Sequence, residues 1–167
     1  MELKKDRIDR LSDEWAVRAA NLDIRPWQVW GRITRINDIF LLKLNKILAQ
    51  NDLSYSELQT LGALIVSGPP YELNPNTISR HNLLTSGGMT NVLTRMEKKG
   101  LITRRKDARD RRGVIVSVTE RGLDIFETVI VAENAIEHRL IEGLSETERT
   151  VIAVVLRKLL LSIDEED

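Results

Sequence analysis

The tightest constraint on this chain lies in residues 85–118, TSGGMTNVLTRMEKKGLITRRKDARDRRGVIVSV, where a helical period gives way within a few residues to a strand period. Met89, Val92, Leu93 and Met96 fall at i, i+3, i+4 and i+7, which puts four apolar side chains on one face of a helix. Gly100 follows as a left-handed stop. Leu101 to Lys106 and Val114 to Val118 are then short runs rich in β-branched residues, the second alternating Val114, Val116 and Val118 against Ile115 and Ser117, with a polar loop between them. That pattern predicts a β-hairpin directly after the helix. The expected fold class is mainly α with a small β-hairpin, because the rest of the chain carries helical spacing.

The same helix opens oddly. Gly87 and Gly88 each cost roughly 1 kcal/mol in a helix interior, and the face opposite the methionines carries Gly87, Asn91, Thr94 and Lys98, flanked by Ser86, Thr90 and Arg95. Small and hydrogen-bonding groups sit at the start of the helix and cations toward its end. A helix entering a DNA major groove brings its first turn closest to bases and phosphates, where bulk would hold the backbone away. The exposed amides and positive dipole end there suit phosphate, while Asn91 and Arg95 have the chemistry to read base edges. Tight packing against a neighbouring helix is the other explanation of the two glycines. Asn74-Pro75 supplies a cap and a first-turn proline for a short helix to about His81, and a turn at Asn82 to Leu84 completes a helix-turn-helix.

The hairpin tip, RRKDARDRR, is more positive than solubility requires. Such a tip after a groove-sized helix is the wing of a winged helix, with Arg109, Arg111 and Arg112 able to reach the minor groove or phosphates. A solvated charged loop is the alternative. Net charge is formally zero over 167 residues, yet Arg80 to Gly113 holds ten basic residues against three acidic ones. The compensating negative charge lies elsewhere, including the acidic IDEED end, so the charge is polarised.

Several function classes drop out. With no cysteine there is no disulfide framework, thiolate metal site or cysteine nucleophile. His81 and His138 are too far apart in sequence to read as a ligand pair, and no nucleophile elbow or phosphate-loop lysine is present, so neither an enzyme nor a metal or other cofactor is expected. No apolar run approaches the ~20 residues of a membrane span. The charged start MELKKDRIDRL is unlike a signal peptide, which makes the cytoplasm the expected compartment.

Around the central segment the chain is helical. Ile8, Leu11, Trp15 and Ala19 predict a short helix over 6–20; Pro26 is placed to open the next, whose stripe Val29, Ile33, Ile36, Phe40, Leu44, Ile47 runs to about Gln50. Ser54 with Glu57, and Ser145 with Glu148, form capping boxes for helices to about Ser67 and Ile163, and Thr119 caps one to about Ile141. The last helix is apolar almost all round, which calls for a second subunit.

Asp107-Ala-Arg109-Asp110-Arg111-Arg112-Gly113 followed by Thr119-Glu-Arg-Gly122 resembles the wing signature of the MarR family of winged-helix transcriptional regulators, and the likeness extends over nearly the whole chain. The resemblance implies a homodimer on an approximately palindromic operator of double-stranded DNA, with residues 1–52 and 120–167 forming dimerisation helices and 53–119 the DNA-binding lobe. It makes Arg112 the wing-tip arginine and Asp110 a residue that orients its neighbours. It also implies a repressor released by a small aromatic or phenolic ligand. The opening WAVRAANLDIRPWQVWGRI is similar to the N-terminal extension of the urate-responsive branch, so Trp15, Gln59 and Arg104 become ligand-site candidates. Gln59 and Val92 depart from that branch, standing where an aspartate and an arginine would align. Core and interface packing is the favoured role for Trp15, Trp27 and Trp30. The competing function is a winged-helix protein interaction module without DNA binding.

Overall fold

The computed structural model describes residues 4–19, 21–82, 86–108 and 113–164. Seven helices and three strands occur among them, and the chain divides into two compact units, Met1–Leu44 and Asn45–Asp167.

In the first unit a helix α1, Arg7–Arg18, begins with a reciprocal cap: the Asp6 carboxylate accepts from the amides of Ile8 and Asp9, and Asp9 accepts from the Asp6 amide. Helix α2, Arg25–Gln50, starts one residue ahead of Pro26, because the Asp23 carboxylate accepts from the Arg25 amide at 3.0 Å and so begins the turn early. The two helices are latched by polar ties. Arg32 donates through Nε to Asp6 Oδ2 at 2.9 Å and through Nη2 to Asp9 Oδ1 at 2.7 Å. Buried Ser12 donates to the Ile8 carbonyl and accepts from Gln28 Nε2, both at 2.7 Å. Ile8 is buried beside them, but the tryptophans are not core residues of this chain. Trp15 is 54%, Trp27 40% and Trp30 59% exposed, so the core half of the expected core and interface role is corrected; an apolar residue type does not say what covers it.

The second unit is built on α3, Tyr55–Val66, whose capping box forms as expected from Ser54 and Glu57. The paired prolines end the helix, and the residues after them do more than link. Glu72–Leu73 is a short strand, β1, pairing antiparallel with β3, Val114–Val118, at Glu72 with Ser117 and Leu73 with Val116. Strand β2, Ile102–Lys106, pairs with the other edge of β3, from Ile102 with Val118 to Lys106 with Val114, giving the order β1-β3-β2. The hairpin is thus two strands of a three-stranded sheet.

Helix α4, Pro75–Asn82, is capped by Asn74, whose Oδ1 accepts from the Thr77 amide at 2.9 Å. Helix α5, Ser86–Lys98, ends as its sequence requires: Gly100 has φ +70°, and the amides of Gly100 and Leu101 bond back to the carbonyls of Glu97 and Met96 at 3.0 Å. The cap of α5 at Thr85 and the turn through Leu84 lie outside the described residues. Thr119 caps α6, Glu120–Ile141, and Ser145 with Glu148 opens α7, Glu146–Asp164.

The core gathers Leu61 and Leu64 of α3, Ile78 of α4, Met89, Leu93 and Met96 of α5, Ile102 and Val116 of the sheet and Val129 of α6, all at 2% exposure or less. Each such burial contributes about 1.5–3 kcal/mol, so α5 is fixed through its apolar face and its other face is left to solvent. Along α7, by contrast, Val151, Val154, Val155, Leu160 and Leu161 are all more than half exposed.

Candidate nucleic-acid interface

Helix α5 divides as its period demands. Met89, Val92, Leu93 and Met96 are 4% exposed or less, while Gly87, Thr90, Asn91, Arg95 and Lys98 are exposed and Thr94 is half-buried. Ser86 is the first residue of the helix. A Cβ built on Gly87 meets nothing within 4 Å, so packing against another helix of this chain is not what keeps a side chain off that position. The first turn offers bare backbone and the last offers cations, a gradient suited to a polyanion approached end-on.

The cations around this face fall into two groups. Glu57, only 1% exposed, does more than cap α3: its Oε2 accepts from the Ser54 amide at 2.8 Å and from Lys99 Nζ at 3.0 Å, while its Oε1 stands 3.6 Å from Arg95 Nε. Burial pushes this carboxyl up, but the Ser54 amide and the Lys99 ammonium outweigh it and hold the group below the usual glutamate value. Arg104 donates through Nε to Glu97 Oε2 at 2.9 Å. Glu72 on β1 accepts from Ser117 Oγ at 2.7 Å and reaches across β3 to Arg105 Nη2 at 2.6 Å. These two bonds, the Ser117 hydroxyl first, also lower the Glu72 carboxyl, and Arg104 does the same for Glu97.

Lys99, Arg104 and Arg105 are therefore internal ties that join α5 to α3 and the wing to the lobe. Lys98 and Lys106 are exposed, and Arg80 lines a polar hollow with Asn74, Asn76 and Asp107 between the start of α4 and the base of the wing. Sequence reasoning missed Glu57 and Glu72 as organisers. Glu57 was legible only as a capping residue, and a strand of two residues carries no alternation by which to find Glu72. Arg109, Asp110, Arg111 and Arg112 lie outside the described residues.

The three ligand-site candidates occupy different surroundings. Trp15 lines an apolar hollow of about 420 Å³ with Leu22, Asp23, Ile24 and Trp27. Gln59 lines one of about 260 Å³ with Gly62, Ala63, Val66, His81 and Asn82. Arg104 is held by Glu97. Among the described residues no cluster of three His, Cys, Asp or Glu side chains is placed to hold a metal ion, and no helix is long and apolar enough to cross a membrane.

A short helix, a recognition-type helix with one bare face, and a basic three-stranded wing define a winged helix-turn-helix protein. The MarR family model matches residues 51–113, from just ahead of α3 to the residue before β3. The HTH-type transcriptional regulator PecS of Dickeya dadantii (strain 3937) is 25% identical over 152 residues, covering 91% of this chain and 92% of PecS. The transcriptional repressor MprA of Escherichia coli (strain K12) is 33% identical over 76 residues, 46% of this chain and 43% of MprA. In fold, the chain matches the crystal structure of the organohalide-sensing regulator RdhR-CbdbA1625 in its 2,4-dichlorophenol-bound form with a TM-score of 0.71 at 23% identity, over 83% of this chain and 80% of that one. The helix-turn-helix segment of this chain is thus similar to the MarR family, whose members are transcription regulators rather than enzymes.

Proposed function

We propose that this protein is a homodimeric, sequence-specific DNA-binding repressor of the cytoplasm, released from a pseudo-palindromic operator by a small aromatic or phenolic ligand. One observation carries the reading: α5 buries one face completely and presents the other, bare at its first turn and cationic at its last, beside a basic hairpin. Ser86, Gly87, Thr90, Asn91, Thr94, Arg95 and Lys98 supply the groove contacts in this scheme. Arg109, Arg111 and Arg112 supply those of the wing. MprA, named a repressor, supports the direction of control.

The exposed apolar face of α7 and the exposed tryptophans of α1 and α2 support assembly with a second copy through residues 1–52 and 120–167, leaving 53–119 as the DNA-binding lobe. Two recognition helices then meet successive major grooves when they stand about 34 Å apart. A ligand that binds a differently spaced dimer better lowers DNA affinity by its differential binding free energy. RdhR-CbdbA1625, solved with 2,4-dichlorophenol, supports the ligand class. The hollow at Trp15 and Trp27 is large enough for one substituted ring, and Asp23 at its wall offers an acceptor to a phenol hydroxyl.

Selection of bound duplexes from a random pool, followed by addition of chlorophenols and hydroxybenzoates, tests the proposal. Recovery of inverted repeats and their release by ligand are expected. A monomer in solution, or no preference for duplex DNA in dilute salt, overturns it.

A further inference from the structure

We propose that Glu57, a buried residue of α3 lying beneath the exposed face of α5, is the positioning residue for Arg95. It sets the sequence preference that Arg95 confers. The inference rests on the DNA-binding reading above and adds to it a residue that does not itself touch DNA.

The Glu57 carboxylate is enclosed, and its two oxygens are treated unequally. Oε2 is satisfied by the Ser54 amide and by Lys99. Oε1 is buried with no hydrogen-bond partner, and the cation facing it is Arg95, its Nε 3.6 Å away and its side chain half exposed. A buried carboxylate oxygen left unbonded is unfavourable, so an attraction persists that a closure of about 0.6 Å would satisfy at ordinary hydrogen-bond distance.

Arginine can meet that demand and still act outward. Its guanidinium carries five N–H donors in a rigid fork. Turning the Nε–H toward Glu57 leaves the terminal nitrogens for the paired acceptors of a guanine edge or a phosphate, in an orientation that the carboxylate fixes. Lys99, four residues beyond Arg95 and just past the end of α5, takes the other oxygen. One carboxylate thereby holds the last turn of the recognition helix and the residue that follows it against the start of α3. Lysine at position 95 would keep the charge but lose the fork.

The charge balance separates this role from a general electrostatic one. Glu57→Gln removes a negative charge beneath the interface, so binding to random duplex DNA is expected to hold or strengthen at low salt. The preference for the selected duplex over a scrambled one is expected to fall roughly tenfold, within the range of a single oriented base contact. Arg95→Ala should lose the same preference, and Glu57→Gln combined with Arg95→Ala should lose no more than Arg95→Ala alone.

The experiment measures competition between the selected and scrambled duplexes for the full-length protein and these variants, with circular dichroism as a check on folding. Arg95→Lys serves where Glu57→Gln does not fold: loss of preference at undiminished low-salt affinity for random DNA supports the positioning role, and retained preference overturns it. Equal weakening on both duplexes in Glu57→Gln, or additive losses in the double variant, also overturns it. Failure of the unmodified protein to select any duplex removes the DNA-binding reading itself, an outcome distinct from the others.

Discussion

Substituting Gly122 by Ala tests the junction that carries the wing. Gly122 is the last residue of the Thr119-Glu-Arg-Gly122 element, and three bonds meet there: the Thr119 amide donates to the Leu101 carbonyl at 3.0 Å, Thr119 Oγ1 donates to the Gly100 carbonyl at 2.7 Å, and the Gly122 amide donates to Thr119 Oγ1 at 3.1 Å. A Cβ on Gly122 would stand 2.3 Å from the Leu101 carbonyl oxygen and 2.7 Å from Val118 Cγ2. An ordinary C···O contact is about 3.3 Å or more, so the backbone must move by about 1 Å. The obstructing atom is a carbonyl held by Thr119, not the end of a flexible side chain. Overpacking costs about 1–3 kcal/mol, and a loosened Thr119 bond about 1 more. The better helix propensity of Ala returns about 1. A net loss of about 2 kcal/mol lowers the melting temperature of a chain this size by about 4–8 °C. Urea and thermal unfolding at one fixed protein concentration measure it, since the stability of the proposed dimer would depend on concentration. A midpoint equal to or above that of the unmodified protein would refute the reasoning.

Gly87→Ala should act in the opposite sense on stability. With open space around its Cβ, it gains about 0.5–1 kcal/mol in urea unfolding while weakening affinity for the selected duplex; unchanged affinity would mean that DNA does not approach that turn. Acidification probes Glu57. Its folded value lies below its ordinary one, so its contribution is fully present above the unfolded value and is lost as pH falls through the folded one. Unfolding free energy should decline below about pH 5, less steeply in Glu57→Gln; identical slopes would remove Glu57 from the balance. Lys98→Ala should lower the slope of log affinity against log salt by about one, whereas Arg104→Ala, whose guanidinium is already paired with Glu97, should leave it unchanged. Equal effects would contradict the division of the cations into tied and outward groups.

What the sequence made legible was whatever local physics decides alone. The capping boxes at Ser54 and Ser145 formed because a hydroxyl and a carboxylate three residues apart satisfy amides on the same turn. Gly100 stopped α5 because its φ of +70° suits glycine, and Met89 to Met96 were buried because period alone puts them on one face. Hidden features depended on distant partners. Glu72 finds Arg105 only once β3 lies between β1 and β2. Glu57 finds Lys99 only once α3 meets α5. Trp15 shows the converse: spacing put it in one stripe with buried Ile8 but could not say that this chain leaves it exposed.

The charge of the central segment has the same twofold origin. Ten cations between Arg80 and Gly113 look like a uniform basic patch when read in order, yet the fold sets Lys99, Arg104 and Arg105 against Glu57, Glu97 and Glu72. Two of those carboxylates come from outside the segment, from α3 and β1. They turn cations that would otherwise repel one another within a small lobe into ties that orient its reading helix and wing. Rigidity matters here because a base contact discriminates only when its donor fork arrives in one orientation, whereas phosphate attraction tolerates many. In the proposed role some basic residues thus hold the geometry while others are left outward for the polyanion, and composition alone cannot separate them. A variant that neutralises a tied cation should therefore perturb stability and selectivity before total affinity, and one that neutralises an outward cation should do the reverse.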